Sequence, residues 1–99
     1  MQNTDPVWQH VDAKRQQFLE LSDKIWDNPE IAYDEYGAVA DHTAMLEREG
    51  FRVSSNVAGI PTAVIGEAGD EGPVIAILGE YDALPGLSQE NGVAEPRPI

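Results

Sequence analysis

Residues 74–78, with the sequence VIAIL, are the stretch that decides the expected fold, and we call them the apolar segment. Because every position in it is apolar, a strand formed here would present apolar side chains on both of its faces. Strands of that kind lie in the middle of a sheet that is covered on each side. From Gly79 onward the apolar pattern ends. We therefore expect an α/β fold in which the apolar segment is the last strand of a small sheet.

Two helices are expected before this strand. The first is predicted over residues 6–27, because Pro6 follows the possible caps Thr4 and Asp5, and a proline at position 29 ends the stretch. Within it, apolar residues recur at spacings of three, four or seven, namely Val7, Val11, Phe18, Leu21 and Ile25. The second helix is predicted over residues 34–49, and Gly50 follows it at the position where a helix end favours left-handed backbone.

Beyond Gly50 the apolar spacing changes to that of β-strands. Phe51 and Val53 alternate with polar residues, which predicts a short first strand over residues 51–54. Residues 62–65 predict a second strand, and residues 67–72 predict a turn leading to the apolar segment. The expected architecture is therefore two N-terminal helices packed on a small sheet of three strands. Residues 87–99 lack apolar periodicity and are expected to form a loop or tail.

Composition limits the class of protein. Six basic and 18 acidic residues give a formal net charge of -12, which disfavours nucleic acid and anionic membranes as partners. The sequence has no cysteine, which excludes disulfides, thiolate metal ligands and thiol catalysis within it. No stretch has the length of an apolar membrane helix, and the first residues are polar, so a cytoplasmic location is expected.

The candidate for chemistry is the segment of residues 79–86, GEYDALPG, which we call the acidic loop. It directly follows the apolar segment, and ligands of open α/β sheets bind at the carboxyl ends of strands. Glu80 and Asp82 are separated there by one residue, and hard cations favour several oxygen ligands. However, Asp82 can equally cap the turn toward Pro85, and Glu80 can equally be a solvated carboxylate. The residues alone leave both interpretations open.

Residues 75–86 (IAILGEYDALPG) and 27–32 (DNPEIA) resemble the start of the M20 metallopeptidases, specifically their amidohydrolase branch. In that family the strand ends in His-x-Asp-x-x-Pro, where the histidine binds a metal and the aspartate supports it. Asp82 and Pro85 match the last two positions, so the resemblance implies the catalytic supporting role for Asp82. Glu80 stands at the histidine position, which is commonly acidic in the amidohydrolase branch, and is the candidate metal contact.

The resemblance implies that residues 1–99 are the N-terminal part of an M20-type, zinc-peptidase-like catalytic domain. The implied reaction is hydrolysis of the amide bond of an N-acyl or p-aminobenzoyl amino acid, a small-molecule substrate, with a divalent metal, Zn²⁺ or Mn²⁺. The family draws further ligands and a base from a Cys-Gly-His segment and from later strands, and it dimerises through a lid domain, so a homo- or heterodimer is expected. We therefore expect this chain alone to bind no metal tightly and to be inactive.

Other interpretations stay open beside the enzyme. The chain is alternatively a non-catalytic acidic domain that binds a partner through a strand edge or apolar helix stripe, or a truncated remnant. His10 and His42 are expected on helices away from the acidic loop, with surface or packing roles. The turn of residues 28–30 either approaches the site or simply stops the first helix, and we count it as a helix stop.

Overall fold

The structure, a computed structural model, describes residues 5–99, so that Thr4, one of the two predicted caps, lies outside it. Three helices and two strands follow one another along the chain: α1 (Asp5–Ala13), α2 (Arg15–Asp27), α3 (Tyr36–Arg48), β1 (Arg52–Ser55), a short 3-10 helix (Val57–Gly59) and β2 (Val64–Glu67). Helix α3 contacts α2 on one side and both strands on the other. No helix among the described residues is long and apolar enough to cross a membrane.

The helix predicted over residues 6–27 is two helices, divided at Lys14. The backbone of Lys14, with φ -101° and ψ 3°, departs from α-helical values. Its N–H donates to the carbonyl of Val11 at 3.1 Å, which is the tighter bond of a 3-10 turn. Its ammonium lies 2.5 Å from a carboxylate oxygen of Glu49, just beyond α3. Neither glycine nor proline marks this position, so the sequence pattern does not reveal the break.

The end of α3 confirms the prediction made for Gly50. This glycine has φ 85°, which is the left-handed backbone expected there. Its N–H donates to the carbonyl of Glu47 at 3.0 Å, and the N–H of Phe51 donates to that of Leu46 at 3.0 Å. These are the two hydrogen bonds of a Schellman motif. They turn the chain directly into β1, which keeps α3 against the sheet.

The sheet has two strands rather than the predicted three. Strands β1 and β2 are antiparallel, with Val53 opposite Gly66. The apolar segment pairs with no strand among the described residues, so the expected third strand is wrong for this chain. Val74, Ile77 and Leu78 are 96%, 95% and 96% exposed. The sequence of this segment predicts that both of its faces are buried. In the structure all five of its residues are exposed.

The hydrophobic core is correspondingly small. Among the described residues, Ala38 and Met45 of α3 are the buried hydrophobic ones. The radius of gyration is 16.0 Å, whereas a compact chain of this length has about 13 Å. The accessible surface is 8163 Å², against about 5,500 Å² for a compact monomer of this mass. Much apolar surface is thus exposed to solvent among the described residues.

Gly66 marks the closest approach of α3 to the sheet, and we expect its replacement by alanine to destabilise the chain. A Cβ there would lie 2.8 Å from Cδ2 and 3.3 Å from Cγ of Leu46, so the whole leucine side chain must move. Overpacking of this kind costs about 1–3 kcal/mol. Urea unfolding followed by tryptophan fluorescence measures the loss. Gly79→Ala is the control, because a Cβ at Gly79 meets no atom within 4 Å; equal stability of the two variants would contradict the prediction.

Candidate functional site

The acidic loop is attached to the rest of the chain at two residues that flank Asp82. On one side, the Tyr81 hydroxyl donates a hydrogen bond to the carbonyl of Thr62, which is itself buried. On the other side, the N–H of Ala83 donates to the carbonyl of Glu30 at 2.7 Å. The backbone of Asp82 is therefore held from both directions.

Glu30 also binds the first turn of α3. Its two carboxylate oxygens accept hydrogen bonds from the N–H groups of Gly37 and Ala38, each at 2.8 Å. The free N–H groups and the positive dipole of a helix N-terminus favour a carboxylate at this place. The cap residue Glu35 makes no such bond; it is 6% exposed and accepts the N–H of Tyr33 at 2.9 Å. The turn of residues 28–30 thus ends α2 as predicted, and it also joins α3 to the acidic loop.

His42 lies beside the acidic loop, so the prediction that places it away from the loop is wrong. The centroid of its ring is 5.0 Å from that of Tyr81, and the two rings are tilted by 50°. Its Nδ1 is 3.0 Å from the carbonyl of Ala38 one turn earlier in α3, a contact in which Nδ1 acts as donor when it carries the proton. This contact joins residues that are distant in sequence.

The Tyr81 hydroxyl stays protonated at neutral pH. Burial raises its pKa above the ordinary value, and the negative charges of Glu35 and Glu30 raise it further. A protonated hydroxyl is the form that can donate to the Thr62 carbonyl. The raised pKa keeps the hydroxyl protonated to a more alkaline pH than in an ordinary tyrosine.

Glu80 and Asp82 are both exposed, on either side of the half-buried Tyr81. Among residues 5–99, no group of three or more His, Asp or Glu side chains is arranged to hold a metal ion. A catalytic zinc ion takes three protein ligands besides water, so the donors in this part of the chain do not make a complete metal site.

A groove lies elsewhere among the described residues. It has a volume of about 350 Å³, is open to solvent, and is formed by α1, α2 and the end of α3. Its lining is mainly apolar and includes Val11, Phe18 and Leu46 together with His10. Neither Glu80 nor Asp82 contributes to it, so it is not a cleft of the acidic loop.

The sequence pattern identifies the acidic loop but not the residues that hold it. It places Glu30 in a helix stop and Thr62 in a strand, and it gives Tyr81 no role between the two carboxylates. The stretch DNPEIA is the available indication for Glu30, since it carries part of the family resemblance. Nothing in the sequence marks the carbonyl of Thr62 as an acceptor.

Comparisons with known proteins identify relatives of this chain. No family model matches the sequence. A subunit of the p-aminobenzoyl-glutamate hydrolase of Escherichia coli (strain K12) is 45% identical over 89 residues, which are 90% of this chain and 18% of that protein. The Xaa-Arg dipeptidase of Mus musculus is 35% identical over 94 residues, 85% of this chain and 22% of that protein. The thermostable carboxypeptidase 2 of Saccharolobus solfataricus is 35% identical over 69 residues, 68% of this chain and 17% of that protein. The chain thus spans about a fifth of the length of these relatives.

Proposed function

This chain is homologous to the M20-type peptidases over most of its length, and we propose that it forms the part of a metal-dependent amidohydrolase that contributes Asp82 and Glu80 to the active site. The names of its relatives describe hydrolysis of p-aminobenzoyl-glutamate, of Xaa-Arg dipeptides and of carboxypeptidase substrates. Such substrates share an amide bond to an amino acid. The proposed substrate class is accordingly an N-acyl or p-aminobenzoyl amino acid.

The attachment of the acidic loop on both sides of Asp82 is the observation that supports this proposal most. A residue that merely caps a turn does not need its neighbours tied to two remote parts of the chain, here Thr62 and Glu30. Sites that perform chemistry do need their groups held in place. Under the proposal, Asp82 orients a neighbouring metal ligand and Glu80 contacts the metal or a polar group beside it. Dimerisation and a cytoplasmic location stay predictions.

The test is a chimera of the Escherichia coli hydrolase subunit, in which the matched part of this chain replaces the corresponding 89 residues, assayed in the complete hydrolase. We expect the chimera to hydrolyse p-aminobenzoyl-glutamate, to lose that activity with a chelator, and to regain it with Zn²⁺ or Mn²⁺. In the chimera, Asp82→Ala should lower kcat/KM by about 10- to 100-fold, as loss of a group that orients a metal ligand typically does. The control is Asp70→Ala, an exposed carboxylate in the preceding turn, 3.6 Å from Arg52.

The competing function, a non-catalytic acidic domain, is favoured by one observation: the exposed apolar segment offers a surface to a partner. The chimera separates the two functions. A folded chimera that assembles normally yet shows no hydrolysis, or one in which Asp82→Ala and Asp70→Ala behave alike, would contradict the enzymatic proposal.

A further inference from the structure

We infer that Tyr81 and Glu30 are positioning residues, which together fix the backbone of Asp82; the catalytic consequence of this inference rests on the function proposed above. Asp82 is the single residue between two attachment points, the Tyr81 side chain and the Ala83 N–H. If either attachment is lost, the residue can rotate about the other. Both are therefore needed to specify where the carboxylate lies.

The first attachment depends on one hydroxyl group. Tyr81 is half-buried, and its ring lies against His42 while its hydroxyl reaches Thr62. Thr62 is 6% exposed, so its carbonyl belongs to one of the few well-buried parts of the chain. The contact between the Tyr81 and His42 rings leaves the Tyr81 ring free to slide. The hydrogen bond from its hydroxyl to the Thr62 carbonyl is directional and restrains that movement.

The second attachment depends on the Glu30 carboxylate as well as on its carbonyl. The Glu30 carboxylate accepts hydrogen bonds from two N–H groups of the first turn of α3, and the Glu30 carbonyl accepts one from the N–H of Ala83. One residue thus accepts three hydrogen bonds from two elements. Gly37 allows this closeness, because a Cβ there would lie 3.1 Å from Glu30 Oε2. Releasing the carboxylate from α3 would free the turn and move the carbonyl that holds Ala83.

Glu30 differs from an ordinary helix cap, because it bonds to the acidic loop as well as to α3. A cap that only stabilises α3 would affect the helix and leave the acidic loop unchanged. Here the carbonyl of the same residue accepts a hydrogen bond from Ala83, next to Asp82. Replacing Glu30 should therefore also loosen the acidic loop. The Tyr81 hydroxyl does not contact the N-terminal N–H groups of α3, so removing the hydroxyl should change the loop and leave that end of α3 as it is.

The test on the 99-residue chain measures amide hydrogen exchange of Ala83 by NMR. We expect Tyr81→Phe, which removes only the hydroxyl, to speed exchange at Ala83 by about tenfold through local opening, while the amides of Gly37 and Ala38 keep their rates. Glu30→Gln leaves one acceptor oxygen and puts an NH₂ group against the other helix N–H; it should speed exchange at all three amides. The control is Tyr36→Phe, since Tyr36 is 56% exposed. Unchanged exchange at Ala83 in Tyr81→Phe overturns the inference, even where Glu30→Gln fails to fold.

The second measurement uses the chimera. Because misplacing a catalytic group by about 1 Å can cost about 100-fold in rate, Tyr81→Phe should lower kcat by about 10- to 100-fold with KM within about twofold and Tm unchanged. A fall in Tm with kcat intact would assign Tyr81 a purely structural role and overturn the inference. An inactive parent chimera, together with the expected exchange at Ala83, would reject the proposed enzyme while leaving the attachment of Asp82 established.

Discussion

The isolated chain is expected to show no hydrolysis of p-aminobenzoyl-glutamate or of N-acyl amino acids, with either Zn²⁺ or Mn²⁺ present. Metal-assisted hydrolysis needs an ion held by enough ligands, together with a base within hydrogen-bond reach of the attacking water. Glu80 and Asp82 come from one exposed loop and cannot surround an ion, and no third donor joins them among residues 5–99. For the same reason, titration calorimetry should show at most weak metal binding.

Adding the remaining part of a relative should produce activity. We would purify the Escherichia coli hydrolase with its matched subunit lacking the matched 89 residues, and mix it with this chain as a separate polypeptide. Turnover is expected only in the mixture. The matched control is the same mixture with Asp82→Ala, which keeps the fold contacts and removes the carboxylate.

One result would contradict the expectation that the isolated chain is inactive. If the chain alone turned over substrate with metal, and Asp82→Ala abolished this turnover after contaminants were removed, the site would have to be assembled from several copies of the chain. Tight metal binding with a defined stoichiometry, lost in the same variant, would point to the same conclusion.

Local features of the fold can be predicted from the sequence, whereas its long-range pairing cannot. Gly50 ends α3 with left-handed backbone because the hydrogen bonds of a helix end are local and glycine tolerates that conformation. The break at Lys14 escapes prediction because neither glycine nor proline marks it, and the ion pair of Lys14 with Glu49 joins residues far apart in the chain. The composition of the apolar segment predicts a strand that needs cover on both faces. The expected pairing does not form: the described residues hold a sheet of two strands, β1 and β2, and the apolar segment lies outside it.

In the candidate site, too, local features can be predicted from the sequence and long-range contacts cannot. The position of Glu80 and Asp82 after the apolar segment follows from the order of residues alone. The contact of His42 with Tyr81 joins residues on α3 and on the acidic loop, and no periodicity or spacing encodes it. The role of Glu30 is hidden for a further reason: its backbone carbonyl makes the key contact with the loop, and a carbonyl is common to all residue types.

Ile77→Lys is expected to have opposite effects on the isolated chain and on the chimera. In the isolated chain Ile77 is 95% exposed, so its side chain contributes almost nothing to folding, and the free energy of unfolding should change by less than about 0.5 kcal/mol. An exposed, uncharged segment of apolar residues is also a site of self-association. The lysine should therefore reduce association, which sedimentation velocity measures.

In the chimera the same lysine should prevent folding. If the apolar segment is a strand covered on both faces, as its sequence predicts, the lysine ammonium is buried there without a partner, at a cost of several kcal/mol. That cost is a large part of the stability of about 5–15 kcal/mol that a domain possesses. Activity should consequently fall below detection, and the chimera should become aggregated or protease-sensitive.

Leu87→Lys is the matched control, because Leu87 is 67% exposed in the tail and the change is of the same kind. It should leave both the chain and the chimera folded. Two outcomes would contradict the argument: loss of stability in the isolated chain with Ile77→Lys, or full activity of the chimera carrying it. The first would mean that the apolar segment packs within this chain after all. The second would mean that its all-apolar sequence does not reflect burial, which would remove the physical reason for expecting a larger sheet around it.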